Sequence, residues 1–274
     1  MARTILQKLL SADWSKTVLA ISYNQVGGLV VEAGYVVDLS TPAALLEAYG
    51  VDDRPDWVDV IRFEQPVCSQ LRAPDPTPDR PWPTYPSGFL RPVGGNLVPV
   101  WDLSWTRLSP GAELWRIHSD GKQECLSQYR GAAQGWAGAR GWQRPVQMIG
   151  PRATWQGTEY PADVAGNHVQ LLTFEDPKSP DWVQSWPLAW ARVVNLAECE
   201  VFELVGTSTV LGIPVRVLSV TKEGARVQLL NPDPDQARTL HAVMIDPGIF
   251  EASGIPVDQL LDTKVVANQL VQTS

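Results

Sequence analysis

Histidine is scarce in this chain: His118, His168 and His241 are the only three in 274 residues, and none stand at HxH, HxxxH or HExxH spacing. A histidine metal site would have to be assembled from three distant loops, and the paired ligands of helical zinc proteases are excluded. Cysteine is as sparse. Cys68, Cys125 and Cys199 are odd in number and include no CxxC pair, which excludes zinc ribbons and thioredoxin-type dithiols. Each sits in an apolar or mixed strand context without a neighbouring His or clustered cations, so reduced, buried thiols are expected rather than activated thiolates. There is no GxSxG nucleophile elbow, no GxxxxGK[ST] phosphate loop and no GxGxxG between a strand and a helix. Neither a metal nor a cofactor is expected.

Clustered positive charge is missing too. No run of Lys or Arg occurs, and 30 acidic residues against 22 basic ones give a formal charge of −8. Phosphate binding needs clustered cations, so a nucleic-acid partner is disfavoured and a basic protein or cationic ligand is easier to accommodate. The acidity also serves solubility on its own. No apolar run approaches the length of a membrane span, and Asp13 interrupts Ile5 to Leu10 before a signal-peptide core could form. With reduced thiols, these features lead to the expectation of a cytoplasmic protein without membrane contact.

What the chain does have is proline, glycine and tryptophan, 23, 21 and 12 residues respectively. The first two call for many turns and short strands, and an apolar fraction of 44% is enough for a folded core. The fold class expected is mainly β, with a small N-terminal α+β unit and two related β-barrel-like, SH3-like repeat units in the C-terminal half.

Residues 1–72 form the α+β unit in this reading. A short amphipathic helix is expected over 4–10, then strands at Thr17–Tyr23, Leu29–Glu32 and Tyr35–Leu39. Thr41, Pro42 and Gly50 bracket the best helix signal, and Trp57–Phe63 reads as a further strand. Residues 73–87 are a stiff connector, because repeated proline removes the N–H groups a ladder needs. A module follows over 88–150, whose clearest hairpin joins Leu114–His118 to Gln123–Tyr129 through Asp120-Gly121, a pair suited to the positive φ of tight turns. Gly131 to Gly141 then form a loose loop carrying Trp136, with Trp142 just after it. Arg130, Arg140 and Arg144 of this stretch could face an anion.

The last part is written twice. Val169-Gln170-Leu171-Leu172 recurs as Val227-Gln228-Leu229-Leu230, each preceded by a strand with a Gly turn, at Gln156-Gly157 and Leu211-Gly212. Val194–Cys199 answers Ile255–Leu260. The repeat units are placed at 151–206 and 207–274. They differ in their loops: the first has a Trp-bearing insertion from Pro177 to Pro187, the second an Asn231–Leu240 segment that fits a capped helical turn.

Two functions from different classes are compatible with these features. One is a non-catalytic protein-binding module of the immunity or antitoxin type, neutralising a basic toxin or enzyme. Trp136, Trp142, Trp182, Trp186 and Trp190 would supply its apolar anchors, since aromatic residues on loops suit a binding face; the same rings could fill a junction between modules. The other is an enzyme acting on a small molecule or sugar at an interdomain cleft, with Arg116, His118, Glu124 and Tyr129 of the central hairpin as its candidates, because alternation puts Arg116 and His118 on one face. The acidic pairs Asp52-Asp53, Glu198/Glu200 and Asp233/Asp235 read as turn residues or a solvated face rather than a glycosidase pair. No catalytic residue is assigned, and oligomeric state is open.

Overall fold

The computed structural model describes residues 4–72, 89–90, 97–231, 233–246 and 249–270. About half of them belong to two antiparallel sheets. The first has seven strands: β1 (Ile5–Leu9), β2 (Gln25–Glu32), β3 (Trp57–Glu64), β4 (Leu71–Arg72), β5 (Trp101–Arg107), β6 (Glu113–His118) and β7 (Gln123–Gln128), in the order β4-β5-β2-β1-β3-β6-β7. Residues on both sides of the proline-rich stretch therefore build one sheet. The connector 73–87 and the Gly94-Gly95 turn lie outside the described residues.

Three local expectations are corrected. Residues 5–9 are a strand, not a helix, and β1 lies between β2 and β3. Leu6, Gln7 and Lys8 are all buried, because both faces of a central strand are covered and the usual polar alternation is lost. Thr17–Tyr23 is not a strand; most of it is the second half of helix α1 (Ala12–Ile21). Ser11 caps the Trp14 N–H, Asp13 sits in the first turn and Ser22 closes the helix in the left-handed conformation. Those end signals outweigh the β-branched pair Thr17-Val18. Tyr35–Leu39 is not a strand either: residues 33–36 form a 3-10 turn, and Val37 is 67% exposed. Helix α2 (Pro42–Ala48) has Thr41 as its cap and Pro42 in its first turn, as its sequence indicates.

The second sheet comprises β8 (Arg152–Trp155), β9 (Thr158–Ala165), β10 (His168–Thr173), β11 (Val183–Trp186), β12 (Ala189–Asn195), β13 (Cys199–Val210), β14 (Ile213–Thr221), β15 (Gly224–Leu229), β16 (Val243–Asp246), β17 (Ile249–Ile255) and β18 (Leu261–Gln269). Helix α3 (Pro234–Thr239), capped by Asp233, lies between β15 and β16. The order is β11-β12-β10-β9-β8-β13-β14-β15-β17-β16, with β18 on β13.

This order contains one pairing scheme twice. In each half the first strand pairs with the second and the second with the third; the third pairs with the fifth, and the fourth with the fifth. A 3-10 turn follows, at 196–198 or 257–259, and the next strand returns to the first. Both first turns have consecutive positive φ, at Gln156-Gly157 and Leu211-Gly212. The repeated Val-Gln-Leu lies on the third strand in each, β10 and β15.

Neither sheet closes into a barrel, which corrects the barrel-like expectation. The outer strands β11 and β16 are four residues long and pair through irregular register. Short, bulged strands bend away and leave edges rather than bonding back.

The sheets are joined by Tyr23, Trp105, Ile149, Leu218 and Ile249, all buried. Gly28 permits this approach, since a Cβ there would lie 2.7 Å from the Ile249 Cδ1 of the second sheet. No helix among the described residues is long and apolar enough to cross a membrane.

Candidate functional site

Alternation along β6 and β7 places Arg116 opposite Glu124, and β3 brings Asp59 to the other side of Arg116. The guanidinium forms a two-point pair with the buried Asp59 carboxylate, Nε to Oδ1 at 2.8 Å and Nη2 to Oδ2 at 2.9 Å. The Ser15 hydroxyl donates to the same carboxylate. Arg116 also lies over the Trp57 ring, 3.6 Å from its centroid. The hydrogen bond that Arg116 donates to Asp59 raises its pKa further, with Glu124 adding to the effect, so its charge is permanent. His118 Nε2 is 3.6 Å from Glu124.

Tyr129 is elsewhere. It is fully buried beside Trp136, with ring centroids 5.5 Å apart, and its hydroxyl accepts from Asn24. Burial pushes its phenol far above the ordinary range, and Asp163 adds to the shift. The fold thus brings Arg116 onto Asp59, sets Glu124 beside both Arg116 and His118, and leaves Tyr129 in the core.

The five tryptophans also divide. Trp136 is 2% exposed, with its indole N–H donating to the Tyr23 carbonyl at 2.7 Å and its backbone N–H to Ser22 at 2.8 Å. It is a core residue. Trp182 packs on Tyr160 at 5.5 Å, and Trp190 is half-buried on β12 opposite Thr173 and Gln184.

Trp142 and Trp186 meet. Their rings stack at 6.1 Å and 21°, joining the loop after β7 to the β11–β12 hairpin. Phe174 extends the row, 6.3 Å from Trp142, and the Arg144 guanidinium lies 3.9 Å over the Phe174 ring. Leu188, at the hairpin turn, is 72% exposed, and Val183 on β11 is exposed as well. Glu175, Asp176 and Asp181 in the neighbouring loop all face solvent. The result is an aromatic ledge next to a sheet edge, with charges of both signs around it: Asp181 pairs with Arg192 at 3.1 Å, and Lys178 and Arg144 are exposed beside Glu175 and Asp176.

The ledge rests on a buried polar network that no local sequence pattern marks. Trp142 donates to the Ala132 carbonyl at 2.9 Å, while the Ala132 N–H donates to Asp163 at 2.5 Å. Asp163 on β9 in turn pairs with Arg107 on β5 at 3.3 Å. Arg107 also donates to the Pro151 and Ala162 carbonyls. Nearby, Glu203 on β13 accepts from Thr106 and from the Gly150 N–H, both at 2.8 Å, and lies 3.6 Å from Arg216. Burial raises the Glu203 and Asp163 carboxyls, opposed by these arginines. Charges removed from water need such partners.

Among the described residues no group of three or more His, Cys, Asp or Glu side chains is arranged to hold a metal ion. No family model, curated protein or solved structure matches this chain.

Proposed function

We propose that the chain is a non-catalytic protein-binding module and that the Trp142–Trp186 ledge is its contact surface. The observation that carries this reading is the stacked pair itself: two large rings held from beneath by hydrogen bonds to Ala132 and Gln134, beside the exposed Val183 and Leu188. Rigid aromatic anchors lose little entropy on binding, and they dominate many interfaces. The net charge of −8 suits a basic partner. An immunity or antitoxin-type neutraliser of a basic toxin or enzyme is the biological form of this proposal. The repeated strand order supports reading the C-terminal half as two related SH3-like units attached to a small N-terminal α+β unit.

The test is affinity capture from the source cell at low and high salt, with wild type, Trp186→Ala and Trp182→Ala. A basic partner that is held at low salt, released by salt and lost in Trp186→Ala is the expected result. Trp182 packs against Tyr160, so its replacement should act through the fold. Equal capture by Trp186→Ala, or no partner at low salt, overturns the proposal.

The second reading, an enzyme for a small molecule or sugar, is supported by a cavity of about 320 Å3 between the sheets, with Arg72, Ser104, Thr207 and Gln228 in its lining. The hairpin residues Arg116, His118 and Glu124 do not line it. It requires small sugars to shift the amide signals of Ser104 and Thr207, and fails if they do not.

A further inference from the structure

The middle strand of the first sheet stops early. β1 pairs with β2 only at Leu6 and Gln7, and with β3 as far as Leu9; the chain then turns through Ser11 into α1. A cavity of about 400 Å3 lies where β1 leaves the sheet, bounded by Leu29 of β2 on one side and by Val58 and Asp59 of β3 on the other. Small-molecule sites run from about 300 to 1,000 Å3, so this space is adequate for a compact ligand. Leu9, Leu46 and Val51 add apolar wall, and the rings of Tyr49 and Trp57 complete it.

The charges around the cavity decide what it can take. Asp59 is satisfied by Arg116 and Ser15. Lys8 has an interaction of its own. The end of α1 offers little to an anion, because Ser11 already caps the Trp14 N–H and Asp13 occupies the first turn. Asp53 and Asp56 remain, both exposed at the rim, and neither has an ion-pair partner among the described residues. Over residues 52–56 three exposed carboxylates, Asp52, Asp53 and Asp56, stand against one exposed guanidinium, Arg54, so the excess charge of this rim segment is negative.

We infer that this crevice binds a small organic cation, with its apolar body against Leu9, Leu29 and Leu46 and its ammonium group at the rim near Asp53 and Asp56. An ammonium placed there keeps part of its hydration, so it gains attraction from two carboxylates without the full cost of burial. The site is separate from the Trp142–Trp186 ledge and does not depend on it.

The experiment is a chemical-shift titration of the full chain with phenethylamine, with 2-phenylethanol as its neutral counterpart and 3-phenylpropionate as its anionic one. Phenethylamine should shift the amides of Leu46, Val51 and Val58 and bind about tenfold more tightly than the alcohol, with the anion weakest. Asp53→Asn with Asp56→Asn should reduce the amine to the affinity of the alcohol, and Val51→Trp should block both. Thermal melts check that each variant folds; if Val51→Trp does not, the double Asn variant, altered only at exposed positions, carries the test alone. No binding, shifts mapping elsewhere, anion binding equal to the amine, or an amine advantage that survives loss of both acids would each overturn the inference.

Discussion

Arg107 and Asp163 come from different sheets and meet at 3.3 Å, each with only 2% of its side chain exposed. Removing one member leaves the other charge buried without its counterion. Arg107→Met should therefore lower stability by about 3–5 kcal/mol, whereas Arg107→Met combined with Asp163→Leu should recover much of that loss. Urea denaturation of the two variants checks this. Equal losses in the single and the double would show that the pair itself is not what holds the sheets together.

The two kinds of tryptophan should separate in the same assay. Trp136→Ala removes a buried ring and orphans the Tyr23 carbonyl, a change expected to cost about 3–5 kcal/mol. Trp186→Ala removes a half-buried ring at a sheet edge and should cost under about 1.5 kcal/mol. If the order were reversed, the ledge would be core and the binding face would lose its ground.

Thiol chemistry should follow burial. Cys68 packs beneath the second sheet, and burial, with help from Glu203, pushes its thiol up to about 12. Cys125 is exposed and its thiol is raised mainly by partial burial. A neutral maleimide should therefore label Cys125 first and leave Cys68 unlabelled until the protein unfolds, with the rate at Cys125 rising with pH because the thiolate is the nucleophile. Mass spectrometry of the labelled peptides reads the order, and early labelling of Cys68 would contradict it.

A pH effect is expected at Glu251. It is buried on β17, 3.7 Å from Arg226, and burial raises its carboxyl despite that arginine. A carboxyl raised on folding keeps its proton longer in the folded chain. Its favourable contribution is complete below the ordinary glutamate range, near pH 4.3, and is lost as pH climbs through the raised value. Glu251→Gln should thus reduce the fall in stability between about pH 4 and pH 7. Denaturant midpoints at the two pH values measure it, and an unchanged slope would refute the assignment.

Local chemistry was readable in advance where it is decided locally. Thr41, Pro42 and Gly50 mark α2, Asp120-Gly121 marks the β6–β7 hairpin, and the doubled Val-Gln-Leu-Leu marks two strands in equivalent places. β1 and α1 are not legible in the sequence because their character depends on what covers them: burial on both faces removes the alternation of one, and β-branched residues disguise the other. Of the candidate sites, Arg116 with Glu124 follows from alternation, but Asp59, from a strand more than fifty residues earlier, does not. Nothing near Trp136 distinguishes it from Trp142. One ring faces Tyr129 and the other faces Trp186, and only the packing of distant segments separates them.

β13 closes the pairing scheme of one half and opens that of the other. At Phe202 it bonds to β8 on one edge and to β18 on the other, and from Gly206 to Val210 it also carries β14. Residue 206, where the sequence suggests a boundary, lies inside it. Neither half can melt without stripping a strand from its neighbour, so the second sheet should unfold in a single transition. A chain cut at that point would yield two fragments, each with a raw edge shaped to recapture the other.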